Sequence, residues 1–318
     1  MASDILELQN QLQQALLSIE KVFNKSGGYK IDNNGFLSAD FVGESKSLLQ
    51  RCDEVCDQYE DDKPTIRIIH HLACSGGSLV SKCISALPNV FLLSEVHPHS
   101  YQHLPKGKPR FLPSDIANLA SQAGFPEAKL LAKAIFKNAI NETLKHIDER
   151  GGCLVLRDHS HSDVCVGKDM EERSIVAEYL KEDYNIVRLV TLRNPIDSYA
   201  ALASNQWVHF EPQAFDEYCR RILIFLAQFE KSQIFMYEDF VLNPQEALKH
   251  IAAHLDIPFD DSFELLFDAF SVTGDSGRKG QIISPRTRRP LGEELIGEIE
   301  SSAFFGKLCE MYNLNPAI

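Results

Sequence analysis

Ser75-Gly76-Gly77-Ser78 follows the β-rich run TIRIIHHLA and opens the helical pattern SLVSKCISAL. Glycines let a chain turn tightly and come close to a bound group, and the first N–H groups of a helix face an anion with the helix dipole behind them. A serine hydroxyl adds a donor. The spacing is not that of an ATP or GTP loop, G-x-x-x-x-G-K-[ST], because no lysine precedes Ser78. No Walker-type aspartate for Mg²⁺ is evident either, which disfavours a magnesium-dependent kinase or NTPase. A plain glycine turn between strand and helix is the competing reading.

A second stretch, Arg193-Asn194-Pro195-Ile196-Asp197-Ser198, follows another apolar run, NIVRLVTLR. A guanidinium fixed at the end of a buried strand can grip a phosphate with two parallel hydrogen bonds. Pro195 suits the first position of a helix, and Ser198 falls about one turn later. A structural Arg193–Asp197 pair is the alternative. The third stretch, GDSGRKGQIISPRTRRP, sets Arg278, Lys279, Arg286, Arg288 and Arg289 against the single acid Asp275. A basic, glycine-bearing loop suits a lid over a polyanion, and it equally suits a solvated surface.

The elements that must position these residues alternate. Strands are expected over 65–73, 89–95, 151–158, 185–193 and 233–240, with helices after the glycine turn, over 127–149, 195–204 and 244–255. Alternation of this kind implies a parallel sheet with right-handed crossovers, and ligands of such sheets bind beyond the carboxyl ends of the strands. Before this unit, residues 4–24 and 38–58 carry helical periodicity, split by the turn-rich SGGYKIDNNGF and closed by the acidic EDDKP. The expected organisation is a helical extension over 1–62, suited to packing or homo-oligomer formation, and an α/β unit over 63–318.

Composition limits the partners. Hydrophobic residues at 44% and charged residues at 24% describe an ordinary globular chain. A formal net charge of −13 argues against a broad nucleic-acid or anionic-membrane surface and leaves room for a local basic pocket. The opening MASDILELQNQLQQ has acids and glutamines where a secretion signal carries a basic start and an apolar run, and no apolar stretch is long enough for a membrane span. The eight cysteines are scattered. Cys52 and Cys56 stand at i, i+4 without further ligands nearby, so reduced thiols and a cytoplasmic location are expected.

Taken together, the glycine turn after the first strand, the R-x-P-x-[DE] turn and the late basic stretch resemble the superfamily of sulfotransferases that use 3'-phosphoadenosine-5'-phosphosulfate (PAPS). FMYEDFVLNPQEALKHIAAHLDIPF is similar to the Y-E-D-[LF] strand and following helix common there. The resemblance covers about residues 65–290 and implies a P-loop-like three-layer α/β fold around a central parallel sheet. It also implies sulfuryl transfer from PAPS to a hydroxyl, with no metal required. Ser75, Gly76, Gly77 and Ser78 would hold the 5'-phosphosulfate. Arg193, helped by Ser198, and the Arg278-Lys279-Gly280 triplet would hold the 3'-phosphate. Trp207, the only tryptophan, is expected in the core, with stacking on adenine as the alternative. Two positions depart from the pattern: Ser75 stands where most members carry a lysine, and Ala201 where they carry the 3'-phosphate serine. Lys82, His70 and His71 are the candidate replacements for the lysine. These departures keep open a second reading, a nucleotide-binding protein of the same fold that has lost turnover.

On the acceptor side, Leu93-Ser94-Glu95-Val96-His97 resembles the E-V-H of heparan-type carbohydrate sulfotransferases and implies Glu95 as the base. A salt bridge or a helix cap is the other reading of Glu95. A partly desolvated carboxylate suits removal of a hydroxyl proton. His97, two residues on, is expected on the same side of an extended chain, where it would orient the base or bind the acceptor. His159 and His161, alternating after the third strand, are expected to line the acceptor pocket. A zinc site there would need a third ligand that the sequence does not locate. The basic loop with Lys106, Lys108 and Arg110 reads as a pocket mouth or a solvated loop. By analogy, the acceptor is a small molecule or carbohydrate bearing a sugar or alkyl hydroxyl.

Overall fold

Five aliphatic runs, each flanked by a glycine, proline or polar turn, assemble into one parallel sheet. The computed structural model describes residues 63–100, 114–273 and 282–318. The expected N-terminal helices, the 106–110 basic loop and Arg278-Lys279-Gly280 lie outside these residues.

Strand β1 (Thr65–His70) leads through the glycine turn into helix α1 (Gly77–Ser85), followed by strand β2 (Val90–Val96). Helices α2 (Ile116–Gln122) and α3 (Ala128–Asp148) come next, then β3 (Cys153–Asp158), the short helix α4 (Ser160–Val164), the two-residue strand β4 (Val166–Gly167) and α5 (Ile175–Leu180). Strand β5 (Asn185–Leu192) feeds α6 (Pro195–Ser204), after which come β6 (His209–Phe210) and α7 (Phe215–Leu226). The chain then forms β7 (Ile234–Met236), α8 (Tyr237–Leu242), α9 (Pro244–Leu255), α10 (Phe263–Leu266), α11 (Glu293–Ser301) and α12 (Ala303–Tyr312). The sheet order is β2-β3-β1-β5-β7, every pair parallel, and β4 with β6 makes a small separate sheet.

Period-two alternation sorts the core into layers. Ile66, Ile68, Leu154 and Leu156 face Ile140, Leu144 and Ile147 of α3. Ile69, Val155 and Leu189 face the opposite way, onto Leu79, Val80 and Ile84 of α1 and Leu248, Ile251 and Leu255 of α9. Each such buried aliphatic side chain contributes about 1.5–3 kcal/mol relative to exposure. Leu154, Val155 and Leu156 of β3 are all buried, so the centre of that strand carries no alternation of polarity, as expected for a parallel strand inside an α/β layer, whereas β1 alternates over Thr65–Ile68.

Helix starts follow local chemistry. Asn194 caps α6 by accepting from the Ile196 N–H at 3.0 Å, with Pro195 in the first turn. Arg221, fully buried on α7, pairs with Glu217 at 2.7 Å and donates to the carbonyls of Val164 (2.8 Å) and Lys168 (2.8 Å). That tie fixes the chain that follows α4, next to the site described below.

Three expected strands fall two or more residues short of their patterns, and β1 stops at His70, before His71, Leu72 and Ala73. QIFMYEDF is extended only over Ile234–Met236; Tyr237 starts a helix whose first turn holds Glu238 and Asp239, where acids favour the helix dipole. The third strand begins at Cys153, because Gly151 at φ 67 makes the turn after α3, and it ends at Asp158. His159 and His161 therefore do not alternate along a strand: His159 precedes a five-residue helix and His161 lies within it.

Candidate active site

The carboxyl ends of β1, β3 and β5 open onto a cavity of about 530 Å³. The chain leaves β1 through a turn in which Ser75 N–H and Oγ both donate to the Leu72 carbonyl, at 3.3 and 2.7 Å. The Ser75 hydroxyl thus braces the turn from inside, and Gly76, Gly77 and Ser78 line the cavity. Gly76 has φ 87, and a Cβ placed on it would lie 2.1 Å from the Tyr237 ring. A Cβ on Gly77 would lie 2.1 Å from the His71 ring. Both glycines are therefore required by packing, and Gly76 by its backbone as well. The first turn of α1 holds no acid to compete with a bound anion.

Arg193 sits just past β5. Its Nη1 donates to the Cys74 carbonyl at 2.9 Å, and its guanidinium lies 5.2 Å from the centre of the Tyr237 ring. The alternative pairing with Asp197 does not form; Asp197 is held by Arg288 through two contacts of 3.1 Å, and Arg193 lines the cavity. Ser198 is buried beneath this wall, donating to the Asn194 and Pro195 carbonyls and accepting from Tyr218 at 3.1 Å. Its hydroxyl does not reach the cavity lining.

Lys82, Arg157, Arg193, Arg286 and Arg289 line the cavity against the carboxylates of Glu95 and Asp158. In a chain of net charge −13 this is a local reversal of sign. Both carboxylates are already engaged. Asp158 accepts from His70 Nδ1 and Ser174 Oγ, each at 2.8 Å. Burial opposes its charge, but the His70 and Ser174 bonds prevail and hold the carboxyl below its usual range.

Glu95 stands at a left-handed φ of 60, where the pairing of β2 with β3 shifts register. Such a backbone costs an L-residue roughly 1–2 kcal/mol and persists only where the surroundings impose it. Here the surroundings centre on Arg157, a nearly buried guanidinium at the end of β3. Its Nη2 contacts Glu95 Oε1 at 2.7 Å, and its Nη1 donates to Ser94 Oγ (3.0 Å) and the Thr273 carbonyl (2.8 Å). Its Nε donates to His71 Nε2. Glu95 Oε2 lies 3.5 Å from His159 Nε2, whose Nδ1 shares a hydrogen bond with Ser162. Arg157 thus fixes Oε1, while Oε2 lies toward His159, which lines the same cavity.

The histidines divide by environment. Burial, reinforced by Arg157, lowers the His71 pKa well below the usual value, so its ring is a neutral acceptor. Burial also lowers His159, although Glu95 opposes the shift. His70 is fully buried against Phe225 and Phe229 and does not line the cavity. His97, expected beside Glu95, turns elsewhere: its Nε2–H donates to Asp163 Oδ1 at 2.7 Å, and its Nδ1 accepts from the His99 N–H at 3.0 Å. It ties β2 to α4 and is absent from the cavity lining. His161 lines the cavity with its ring 6.3 Å from that of His209.

Lys82, one turn into α1, does reach the cavity lining, as does Trp207, which is 37% exposed rather than in the core. Arg157, Tyr237, Asn205 and His209 carried no expectation from sequence. A position one residue before the end of an apolar run was the available signal for Arg157; nothing local marks the other three. Among the described residues no cluster of three or more His, Cys, Asp or Glu side chains is arranged to hold a metal ion, and no helix is long and apolar enough to cross a membrane.

No protein-family model matches the chain, and no curated protein matches its sequence. Solved structures do. The sulfotransferase domain from the curacin biosynthetic pathway aligns at 16% identity and a TM-score of 0.45, covering 80% of this chain and 99% of that one. The sulfotransferase from Alicyclobacillus acidocaldarius aligns at 17% identity and 0.41, covering 80% and 97%. The sulfotransferase domain of the Synechococcus PCC 7002 olefin synthase aligns at 15% identity and a TM-score of 0.51, covering 80% of this chain and 96% of that one. With its five-stranded parallel sheet flanked by helices, this chain has the sulfotransferase fold.

Proposed function

We propose that this protein transfers a sulfuryl group from PAPS to a hydroxyl of a small-molecule or carbohydrate acceptor. One observation carries the reading: a single cavity at the carboxyl edge of the sheet combines an excess of cations with Glu95, whose Oε1 is pinned by Arg157 and whose Oε2 lies 3.5 Å from the cavity-lining His159. Its volume falls within the usual range for small-ligand sites.

In this reading Gly76, Gly77 and Ser78 hold the 5'-phosphosulfate and Ser75 keeps their turn in shape. Lys82 supplies charge on that side in place of the missing lysine. Arg193 takes the 3'-phosphate, and Arg278, Lys279 and Gly280 share it by resemblance. Glu95 Oε2 accepts the acceptor's hydroxyl proton as the new S–O bond forms and the sulfur's bond to the 5'-phosphate oxygen breaks. Arg157 keeps Glu95 aimed, while the surrounding cations stabilise charge on the sulfuryl and departing phosphate oxygens. His159, His161, His209 and Trp207 form the acceptor wall, a polar and aromatic lining suited to a sugar or alkyl alcohol. His97 acts from behind, through Asp163, as a structural tie. A cytoplasmic location, where PAPS is made available to soluble enzymes, belongs to the same reading.

The Glu95–Arg157 pair and the inward-turned Ser75 also support a second reading, a nucleotide-binding protein without turnover. Calorimetric titration with 3',5'-bisphosphoadenosine, followed by transfer assays from labelled PAPS to a panel of sugars and alcohols, separates the two. Binding with transfer supports the enzyme, binding without transfer supports the second reading, and no binding at submillimolar ligand removes both.

A further inference from the structure

Where β2 pairs with β3, Leu93 stands opposite Leu156 and Val96 opposite Asp158, so Ser94 and Glu95 together face the single residue Arg157. Two residues against one make a bulge, which interrupts the ladder and re-aims a side chain. This bulge carries Glu95 at φ 60. That angle is a rotation about the bond from the Glu95 nitrogen to its Cα, measured from the peptide plane that Ser94 and Glu95 share. Whatever fixes the Ser94 carbonyl therefore fixes one side of the rotation.

Thr273 does so. Its Oγ1 donates to the Ser94 carbonyl at 2.9 Å, and its own carbonyl accepts from Ser94 Oγ at 3.3 Å and from Arg157 Nη1 at 2.8 Å. With the 3.0 Å bond from Arg157 Nη1 to Ser94 Oγ, these contacts join Thr273, Ser94 and Arg157 beside the Glu95–Arg157 pair. The segment that brings Thr273 here is rooted in the core. Phe263 of α10 and Phe267 are buried in the same apolar cluster as Leu79, Val80 and Ile84 of α1, and the Phe270 N–H donates to the Phe267 carbonyl at 3.2 Å. The helix after the glycine turn and the strand end that bears Glu95 are thus tied through residues 263–273. Thr273 itself is exposed, so its contribution is these bonds rather than packing.

We propose that Thr273 is a positioning residue for the carboxylate: with Ser94 it locks the bulge that holds Glu95 left-handed, and so keeps Glu95 against Arg157. A left-handed residue persists only where its surroundings over-determine it. Arg157 holds the end of the Glu95 side chain, and Thr273 holds the backbone at its root. The two constraints act on different bonds of one residue. The catalytic consequence of this lock rests on the function proposed above; the lock itself does not.

The test compares the full chain with Thr273→Val, which keeps the side chain's shape and loses its donor, and with Thr273→Ser, which keeps the hydroxyl. Amide hydrogen exchange across residues 94–97 reads the lock. Single-turnover transfer from labelled PAPS and calorimetry with 3',5'-bisphosphoadenosine read its consequence. Thr273→Val should speed the exchange at least about threefold and slow transfer about fivefold, the factor expected for one lost hydrogen bond. Nucleotide affinity should stay within about twofold, and Thr273→Ser should restore the rate. Added to Glu95→Gln, Thr273→Val should slow transfer by less than about twofold further, because a group that acts through Glu95 then has nothing left to position. Unchanged exchange or unchanged transfer in Thr273→Val overturns this role and leaves the proposed function standing. Parallel losses of transfer and nucleotide affinity, or a full fivefold added to Glu95→Gln, also overturn it, since Thr273 would then act elsewhere. A wild type that makes no ester counts against the proposed function instead; exchange alone then decides the lock, upheld if Thr273→Val speeds it and overturned if it does not.

Discussion

Replacing Arg157 by methionine tests how the site holds its carboxylate. The side chain is 5% exposed and contacts Glu95 at 2.7 Å, Ser94 at 3.0 Å, the Thr273 carbonyl at 2.8 Å and His71. Methionine fills similar volume without any of these donors. Removing one partner of a fully buried ion pair costs about 3–5 kcal/mol. Glu95 is 24% exposed, so water regains part of its charge and the cost moves toward the lower end. The Thr273 carbonyl and Ser94 hydroxyl lose a donor as well, each worth about 1 kcal/mol. A net loss of about 5 kcal/mol in urea unfolding is expected, with a collapse of sulfuryl transfer by about a hundredfold or more as Glu95 loses its fixed orientation. Affinity for 3',5'-bisphosphoadenosine, whose proposed contacts lie on the β1 and β5 side, should change little. Arg157→Lys should recover charge but not the four-way geometry, leaving turnover well below wild type. Unchanged stability in Arg157→Met, or unchanged turnover, would show that Arg157 does not hold Glu95 in place.

Gly76→Ala should lose about 2–4 kcal/mol, because φ 87 is strained for alanine and its Cβ would meet the Tyr237 ring at 2.1 Å. Thermal melting measures the loss, and Gly76→Ala combined with Tyr237→Ala should recover only the steric part. Stability should also fall as pH drops from about 6.5. Burial holds His71 and His159 below their usual pKa and brings His99 down to about 4, so the unfolded chain takes up protons in that window that the folded chain refuses. Urea titrations at stepped pH check this, and His99→Phe should flatten part of the slope between pH 6.5 and 4; an unchanged slope would count against it.

The alternation of strands and helices was legible because parallel strands buried on both faces are continuous aliphatic runs, and the turns after 70 and 192 carry their own punctuation in Gly76-Gly77 and Pro195. The cavity wall was legible to the same extent, since residues just past those strands must face the ligand edge. Contacts between distant residues were not. Arg157 meets Glu95 across neighbouring strands and Thr273 far along the chain, and Asp197 finds Arg288 instead of the nearby Arg193. His97 left the expected side because the left-handed residue at Glu95 breaks the two-residue alternation. For QIFMYEDF, β propensity at an edge strand lost to the helix-start preference of Glu238 and Asp239.

Single-turnover transfer of labelled sulfate from PAPS to an alcohol or sugar acceptor, run side by side on wild type and Glu95→Gln, separates catalysis by this carboxylate from nucleotide binding alone. Both proteins should bind 3',5'-bisphosphoadenosine alike, the wild type should form the sulfate ester, and Glu95→Gln should form it at least about a hundredfold more slowly. Equal rates in the two proteins would contradict Glu95 as the base, and no ester from a wild type that binds the nucleotide would contradict catalysis.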